Sequence, residues 1–213
     1  MPETTKRTIV RSRTKAFKDI YVAHVLKNTE TEYETDTPVK LARAIKGKVS
    51  EKWSTEKIYS DDTVEDTAMS YEGTEVEFEV NSLAPQDKAY VFGQLYENGF
   101  LVKKKTDIAP EVAVGYRAKK LNGKYEFTWL YAGVFGQGYE DNYETEADKA
   151  TTQTATLKGD FYERQIDAAY QVQVDESNLI DEDTDAATAI ANWFSEVQEA
   201  PKGTEESGGT VTQ

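Results

Sequence analysis

The sequence predicts a mainly β (α+β) fold, a β-sandwich or barrel carrying one short flanking helix, one long polar loop and a C-terminal helix. The first observation is residues 110–138, where Val112, Val114, Tyr116 and Ala118 alternate on one arm and Tyr125, Phe127, Trp129 and Tyr131 on the other, around Asn122-Gly123. Asn-Gly accepts the positive φ angles of a type I′ turn, so the stretch reads as a long β-hairpin. Leu130, Ala132 and Val134 make its second arm apolar on both faces, which places it inside a sandwich or at a subunit interface. The second observation is residues 74–83, where Val76, Phe78 and Val80 alternate with Glu75, Glu77 and Glu79 as in a strand with one wet face. The third is that only residues 84–92 and 185–200 are read as helices, since 39–49, where Val39, Leu41, Ala44 and Ile45 could also make a helical face, is short, lacks a cap and follows a proline.

In chain order, residues 1–16 hold few apolar side chains and are expected to form an extended basic arm that orders only against something else. The β domain is expected over residues 17–174, opening with a strand at 17–26, FKDIYVAHVL. His24, the single histidine, sits between Ala23 and Val25 and reads as a packed side chain rather than a base. Residues 28–37 read as a polar loop, and 39–49 as a strand entered from Pro38 with a bulge at Gly47. Residues 50–73 read as a long polar loop that nevertheless carries Trp53, Ile58, Tyr59, Val64, Met69 and Tyr71. Large apolar groups in such a loop are costly to leave in water, which marks it as a subunit contact.

After the Glu75–Glu79 strand, Pro85 in a first turn, Asp87 and a closing Gly93 define a short helix. Asn98-Gly99 centres a second hairpin. Residues 139–150 read as an acidic loop, 151–164 as a strand, and 169–174 as its weak continuation. Residues 175–200 form a C-terminal helical segment, with Ala187, Ile190, Ala191, Phe194 and Val197 on one face and Asp183 or Thr184 as cap. From Pro201 the Gly, Ser, Thr and Glu composition predicts a disordered tail, 201–213.

The formal net charge of −14 argues against nucleic-acid binding through phosphate contacts. The charge is segregated: residues 1–18 hold six bases against Glu3, 61–79 eight acids and no base, and 139–148 five acids and no base. With no cysteine there is no disulfide, thiolate nucleophile or cysteine-bound metal. No signal-peptide pattern and no apolar run of membrane-spanning length is present, so a soluble protein made in a cytoplasm is expected. Asp181, Asp183 and Asp185 open like an EF-hand loop, but Ala186 stands where glycine is needed and Asn192 where glutamate belongs. The glycines at 133, 136 and 138 lack the spacing of a phosphate loop. No catalytic, cofactor or metal residue is assigned.

Tyr33-Glu34-Thr35 before Pro38 to Ala42, then Ile58 to Asp62, then PEVAVGY, NGKY and WLYAGVF, then Thr154, Thr156, Gly159 and Phe161, stand in an order that resembles the major tail proteins of long-tailed, non-contractile phages of Gram-positive bacteria. The resemblance covers roughly residues 17–165. It implies a β-sandwich tail-tube fold with a flanking helix, in which six copies join their sheets into a ring and stacked rings form the tube through which genomic DNA passes without specific binding. The implied partners are further copies of itself and the tape-measure, tail terminator and distal tail proteins, with no membrane contact. The implied location is the virion tail, after assembly in the host cytoplasm. Mapped onto this sequence, the long loop and the arm would bridge subunits, which puts Arg7, Arg11, Arg13, Trp53, Ile58, Tyr59, Met69 and Tyr71 at interfaces. Glu75, Glu77 and Glu79 would face the lumen. Two rival readings remain open: a monomeric β-sandwich binding carbohydrate on Tyr139 and Tyr143, and a carboxylate-dependent hydrolase.

Overall fold

The computed structural model describes residues 9–60, 63–136, 138–141 and 154–201, with backbone only for 58–60 and 63–65. The protein is mainly β: the described residues form two antiparallel sheets packed face to face, a small separate hairpin and two short helices. The first sheet takes β1 (Thr14–Asn28), β2 (Tyr33–Thr35), β3 (Val39–Lys40), β8 (Val112–Lys120), β9 (Tyr125–Leu130) and β13 (Gln171–Asp175), in the order β13-β9-β8-β1-β2, with β3 also on β1. The second takes β4 (Ala44–Ser60), β5 (Thr63–Val80), β10 (Ala132–Val134), β11 (Tyr139–Asp141) and β12 (Ala155–Tyr162), in the order β10-β12-β5-β4, with β11 also on β12.

The main core lies between the sheets. Ile20, Val22, Val112, Val114 and Leu130 come from the first sheet and Val76, Phe78, Val80, Leu157 and Phe161 from the second, every one of them buried. Helix α1 (Pro85–Phe92) adds Val91 and Phe92 to this core. Its signals act as the sequence suggests: Pro85 opens it, Asp87 Oδ2 accepts from the Ala84 N–H at 3.1 Å, and Gly93 at φ 64° closes it. A second core lies on the opposite face of the first sheet, where Ala113, Phe127 and Trp129 meet Trp193, Phe194, Ile190 and Val197 of the C-terminal segment. The first sheet is thus covered on both faces, which explains the two apolar registers of its central hairpin.

Several details depart from the sequence reading. The turn at Asn122-Gly123 is not type I′, because only Gly123 has positive φ (89°). The Gly123 N–H bonds the Lys120 carbonyl and the Lys120 N–H bonds the Lys124 carbonyl, which makes a three-residue loop closed by a left-handed glycine. The type I′ turn is in the smaller hairpin, β6 (Leu95–Glu97) and β7 (Phe100–Val102), where Asn98 and Gly99 have φ of 51° and 85°. The central hairpin also stops short of its expected length. After Leu130 the chain leaves β8, the Tyr131 N–H bonds the Tyr170 carbonyl, and β10 joins β12 in the other sheet.

Gly47 is not a bulge. The register slip falls between Ala44 and Lys46, and a Cβ on Gly47 would stand 2.8 Å from the Phe17 ring, so the glycine makes room for that ring. The polar loop expected at 28–37 contains β2, held by the Tyr33 hydroxyl donating to the Tyr131 carbonyl at 2.6 Å. Residues 9–16 are not a free arm: Val10 N–H donates to Asn178 Oδ1, Asn122 N–H to Ser12 Oγ and Leu121 N–H to the Arg13 carbonyl, and Thr14 starts β1. Residues 139–141, expected in the acidic loop, form β11, while residues 1–8, the rest of that loop (142–150), the first three residues of the strand expected at 151–164, and residues 202–213 lie outside the described residues.

The C-terminal helix α2 spans Thr184–Ala191, shorter than the expected 185–200. Asp183 precedes it as cap residue. Competing bonds end it: Trp129 Nε1–H donates to the Trp193 carbonyl at 2.9 Å, and Gln198 Nε2 donates to the Asn192 carbonyl at 3.1 Å. The apolar spacing beyond Ala191 is real, but turns rather than helix deliver Trp193 and Phe194 to the sheet.

Candidate self-association surface

The segment expected to be a loop at 50–73 is a β-ribbon. β4 and β5 pair from Ala44↔Val80 to Ser60↔Thr63, whereas β12 accompanies β5 only over 74–80. Beyond Thr74 the two strands therefore project past the sandwich as a two-stranded arm, roughly 30 Å long at about 3.3 Å per residue. An isolated two-stranded ribbon is marginal in water. Its base is fixed by aromatic contacts: Tyr71 stacks on Tyr170 with centroids 4.2 Å apart, Trp53 meets Tyr71 edge-on at 5.4 Å, and the Tyr71 hydroxyl bonds Thr74 Oγ1 at 2.7 Å. Burial at this contact pushes the Tyr71 phenol up. Farther out, Thr55, Glu56 and Lys57 on one strand and residues 66–70 on the other are exposed. Trp53 is 47% and Met69 67% exposed.

The structure thus brings Trp53 and Tyr71 together and leaves Met69 on the open ribbon. Ile58 and Tyr59 belong to the paired backbone near its tip, and their side chains lie outside the described set. Arg7 also lies outside the described residues. Arg11 and Arg13 are exposed beside Lys120, Asp175 and Asn178 at the end of the first sheet, with no described contact to the ribbon.

Glu75, Glu77 and Glu79 occupy the outer face of the second sheet, as expected, but not as an acidic field. Across one ladder they oppose Ser50, Lys48 and Lys46, and across the other Asp160, Lys158 and Thr156. Lys52 Nζ lies 2.5 Å from Glu75 Oε1, and Lys158 Nζ 3.2 Å from Glu140 Oε1. A shallow depression of about 210 Å³ between Lys48, Glu75, Glu77 and Lys158 marks this face of alternating sign. The sequence reading missed the lysines, although Lys46 and Lys48 alternate visibly with Gly47 and Val49.

The two edges of the second sheet differ in charge. Edge strand β4 presents exposed Lys46, Lys48 and Lys52. At the opposite edge β11 exposes Glu140, which Lys158 meets at 3.2 Å. A lysine-bearing open edge and a glutamate-bearing one can fit each other head to tail, an arrangement that can close into a ring.

Other expected features resolve into structural contacts. The Tyr139 ring has Lys88 Nζ at 4.4 Å and Lys103 Nζ at 4.6 Å from its centroid and Phe92 at 5.0 Å, so it offers no open platform for a sugar. Tyr143, the other half of that platform, lies outside the described residues. His24 stacks on Tyr90 at 3.9 Å, with Nε2 2.9 Å from the Tyr90 carbonyl oxygen, in keeping with a packed side chain. Among the described residues no cluster of His, Cys, Asp or Glu could hold a metal, and no helix is long and apolar enough to cross a membrane.

Arg164 was not anticipated, because its partners are scattered along the chain. It pairs through two nitrogens with Asp167 (2.8 and 2.7 Å) and reaches Glu199 at 3.1 Å, with the Tyr131 and Tyr33 rings 4.2 and 5.1 Å from its guanidinium carbon. Burial pushes the Tyr131 phenol up to about 12. The cluster, with Tyr131 donating to the Gln198 carbonyl at 3.2 Å, ties the C-terminal segment to the junction of the two sheets. No family model matches the sequence, and no curated protein matches it either.

Proposed function

We propose that this protein is a tail-tube subunit of a long-tailed, non-contractile phage, a structural virion protein that forms stacked hexameric rings around a DNA passage. The observation that carries the proposal is the β4–β5 ribbon. It holds its backbone pairing well beyond the sandwich while leaving Trp53 and Met69 in water, an arrangement that gains burial only against another molecule. The oppositely charged edges of the second sheet support ring closure between copies, and the ribbon would bridge neighbouring subunits or rings. The role is structural and assigns no catalytic group; tape-measure, terminator and distal tail proteins are the partners it calls for.

The mixed-sign face modifies how the passage would work. If the outer face of the second sheet lines the lumen, DNA meets interleaved Glu and Lys side chains. Lys52 and Lys158, engaged by Glu75 and Glu140, bind phosphate weakly, and the interleaved Glu75, Glu77 and Glu79 repel it, so such a lining still lets DNA slide.

Negative-stain microscopy of the purified protein across a concentration series tests the proposal. The wild type is expected to form rings or hollow tubes, Lys46→Glu/Lys48→Glu to remain monomeric, and Glu140→Lys added to that variant to restore assembly in part. A wild type that stays monomeric at its highest soluble concentration would overturn the reading.

A further inference from the structure

The small β6–β7 hairpin turns an apolar face to water. Leu95 pairs with Val102 and Glu97 with Phe100, and residues directly opposite in an antiparallel pair share a face. Tyr96 and Leu101 lie on the other side and are half-buried, with the Tyr96 hydroxyl accepting from Gln86 Nε2 of α1 at 2.8 Å. Leu95, Phe100 and Val102 are left exposed, Phe100 at 73%. Ile108 is 84% exposed, and its carbonyl lies so near Gly93 that a Cβ there would stand 2.3 Å from it, which places Ile108 beside the start of β6. Clustered apolar side chains in water mark a contact surface.

We infer that this face receives the β4–β5 ribbon of a second copy stacked along the strand direction; this rests on the assembly proposed above. Topology is the first argument. The ribbon leaves the second sheet where Thr74 opposes Phe161. The small hairpin stands at the other end of that sheet: Lys103, the residue after β7, holds its Nζ 4.6 Å from the Tyr139 ring centroid, and Tyr139 pairs with Leu157, which is itself opposite Phe78. A ribbon that carries the sheet away from the hairpin does not reach the hairpin of its own subunit. Two copies in the same orientation, placed end to end, bring the ribbon of one to the hairpin of the other. Edge pairing acts across the strands and the ribbon runs along them, so the edges close a ring while the ribbon is aimed at the next one.

Chemistry is the second argument. On the ribbon, the pairs Trp53↔Tyr71, Thr55↔Met69 and Lys57↔Thr67 put Trp53, Met69 and Lys57 on one face, and Ser54, Glu56, Ala68 and Ser70 fall on the other. The apolar face of the ribbon thus carries one charge, Lys57, and the apolar face of the hairpin carries one of opposite sign, Glu97. Both are exposed and neither has an ion-pair partner among the described residues. Laid face to face, the two surfaces take Met69 and Phe100 out of water and pair the two charges at the rim.

The contact is heterologous. Each copy offers a ribbon at one end and a hairpin at the other, so a stack keeps one unfilled site at each end and continues to grow. A two-fold pair would instead set ribbon against ribbon and leave both hairpin faces in water.

The absence of native cysteine makes crosslinking between copies clean. Thr55→Cys marks the ribbon face and Val102→Cys the hairpin face, both at exposed positions. The two single variants are mixed under mild oxidation, one of them lengthened by a tag so that mixed dimers separate on a gel. Mixed disulfide dimers are expected at about tenfold the yield of the like dimers that either variant gives alone. Adding Lys57→Glu to the first variant should lower that yield about fivefold, and adding Glu97→Lys to the second should then restore it. Tubes in the microscope without an excess of mixed dimers, with ribbon-to-ribbon dimers from Thr55→Cys alone, or with a yield that ignores the charge variants would overturn the inference and leave the tail-tube reading standing. Mixed dimers that follow the charge exchange in a protein that forms no rings would uphold the inference and overturn the tail-tube reading.

Discussion

Two hairpins of this protein share a backbone design and have opposite surroundings. The β8–β9 hairpin is covered on both faces: Val112, Val114 and Leu130 face the other sheet, and Ala113, Phe127 and Trp129 face the C-terminal segment. The outer half of the β4–β5 ribbon is covered on neither, and its only described aromatic anchors, Trp53 and Tyr71, sit at its base. Backbone pairing is similar in both, so pairing cannot account for the difference in what each contributes. Burial does: the first hairpin is covered and stabilises the subunit, whereas the outer half of the second leaves its surface open, the surface that the proposed assembly would cover.

The largest loss of stability is expected from a cut into the buried hairpin. Trp129 is fully buried, lies in the second core with Phe127 and Trp193, and donates its indole hydrogen to the Trp193 carbonyl. Trp129→Ala is expected to destabilise the subunit by about 3–5 kcal/mol, read by urea denaturation, through lost contacts and the cavity left behind. It should also loosen the C-terminal segment, visible as faster amide exchange at 190–198. A loss below about 1 kcal/mol would show that the segment is not anchored there.

How far these two regions could be read beforehand follows from what each exposes. The central hairpin was legible as a buried element because apolar residues fill both of its registers. Helix α1 was legible because Pro85, Asp87 and Gly93 act locally, within the helix they delimit. The ribbon was misread as a loop because strand periodicity appears only when one face is buried. In a ribbon wet on both faces, Glu51, Lys52, Ser54, Thr55 and Glu56 carry no alternation. The Arg164 cluster and the lysine–glutamate ladders were illegible for another reason: they depend on residues brought together from 33, 131, 167 and 199, or across three strands, by the fold itself.

A smaller effect comes from a buried ionic contact of the central hairpin. Lys120, at the end of β8, reaches Asp175 at 2.5 Å and Glu126 at 2.8 Å, which ties β8, β9 and β13 together. Burial pushes the Asp175 carboxyl up, but hydrogen bonds from Lys120 and Ser177 outweigh it and hold the group below its ordinary value. Burial likewise opposes the charge on Lys120, and its two carboxylate partners prevail and raise it. A lowered acid contributes stability that is complete above its unfolded value and is lost as the pH falls through the folded one. A raised base contributes stability that is complete below its unfolded value and is lost as the pH climbs. Lys120→Met is therefore expected to cost about 2 kcal/mol at neutral pH, with the gap from wild type narrowing below about pH 4 and above about pH 10. A gap that stays constant across pH would mean the lysine matters only for its packing.

The smallest effect on stability is expected in the ribbon, and there it is informative because it is small. Met69 is 67% exposed, so Met69→Ala removes little surface from the subunit's own interior and leaves the Trp53–Tyr71 contact at the ribbon base in place. The change in unfolding free energy should stay within about 0.5 kcal/mol, as for substitutions away from a packed core. The same variant should lose higher-order assembly in sedimentation velocity at concentrations where the wild type polymerises. Reduced stability with intact assembly would make the ribbon part of the subunit's own fold. Intact stability with lost assembly is the pattern that a strand pair built for a partner must give, since its burial exists only in the polymer.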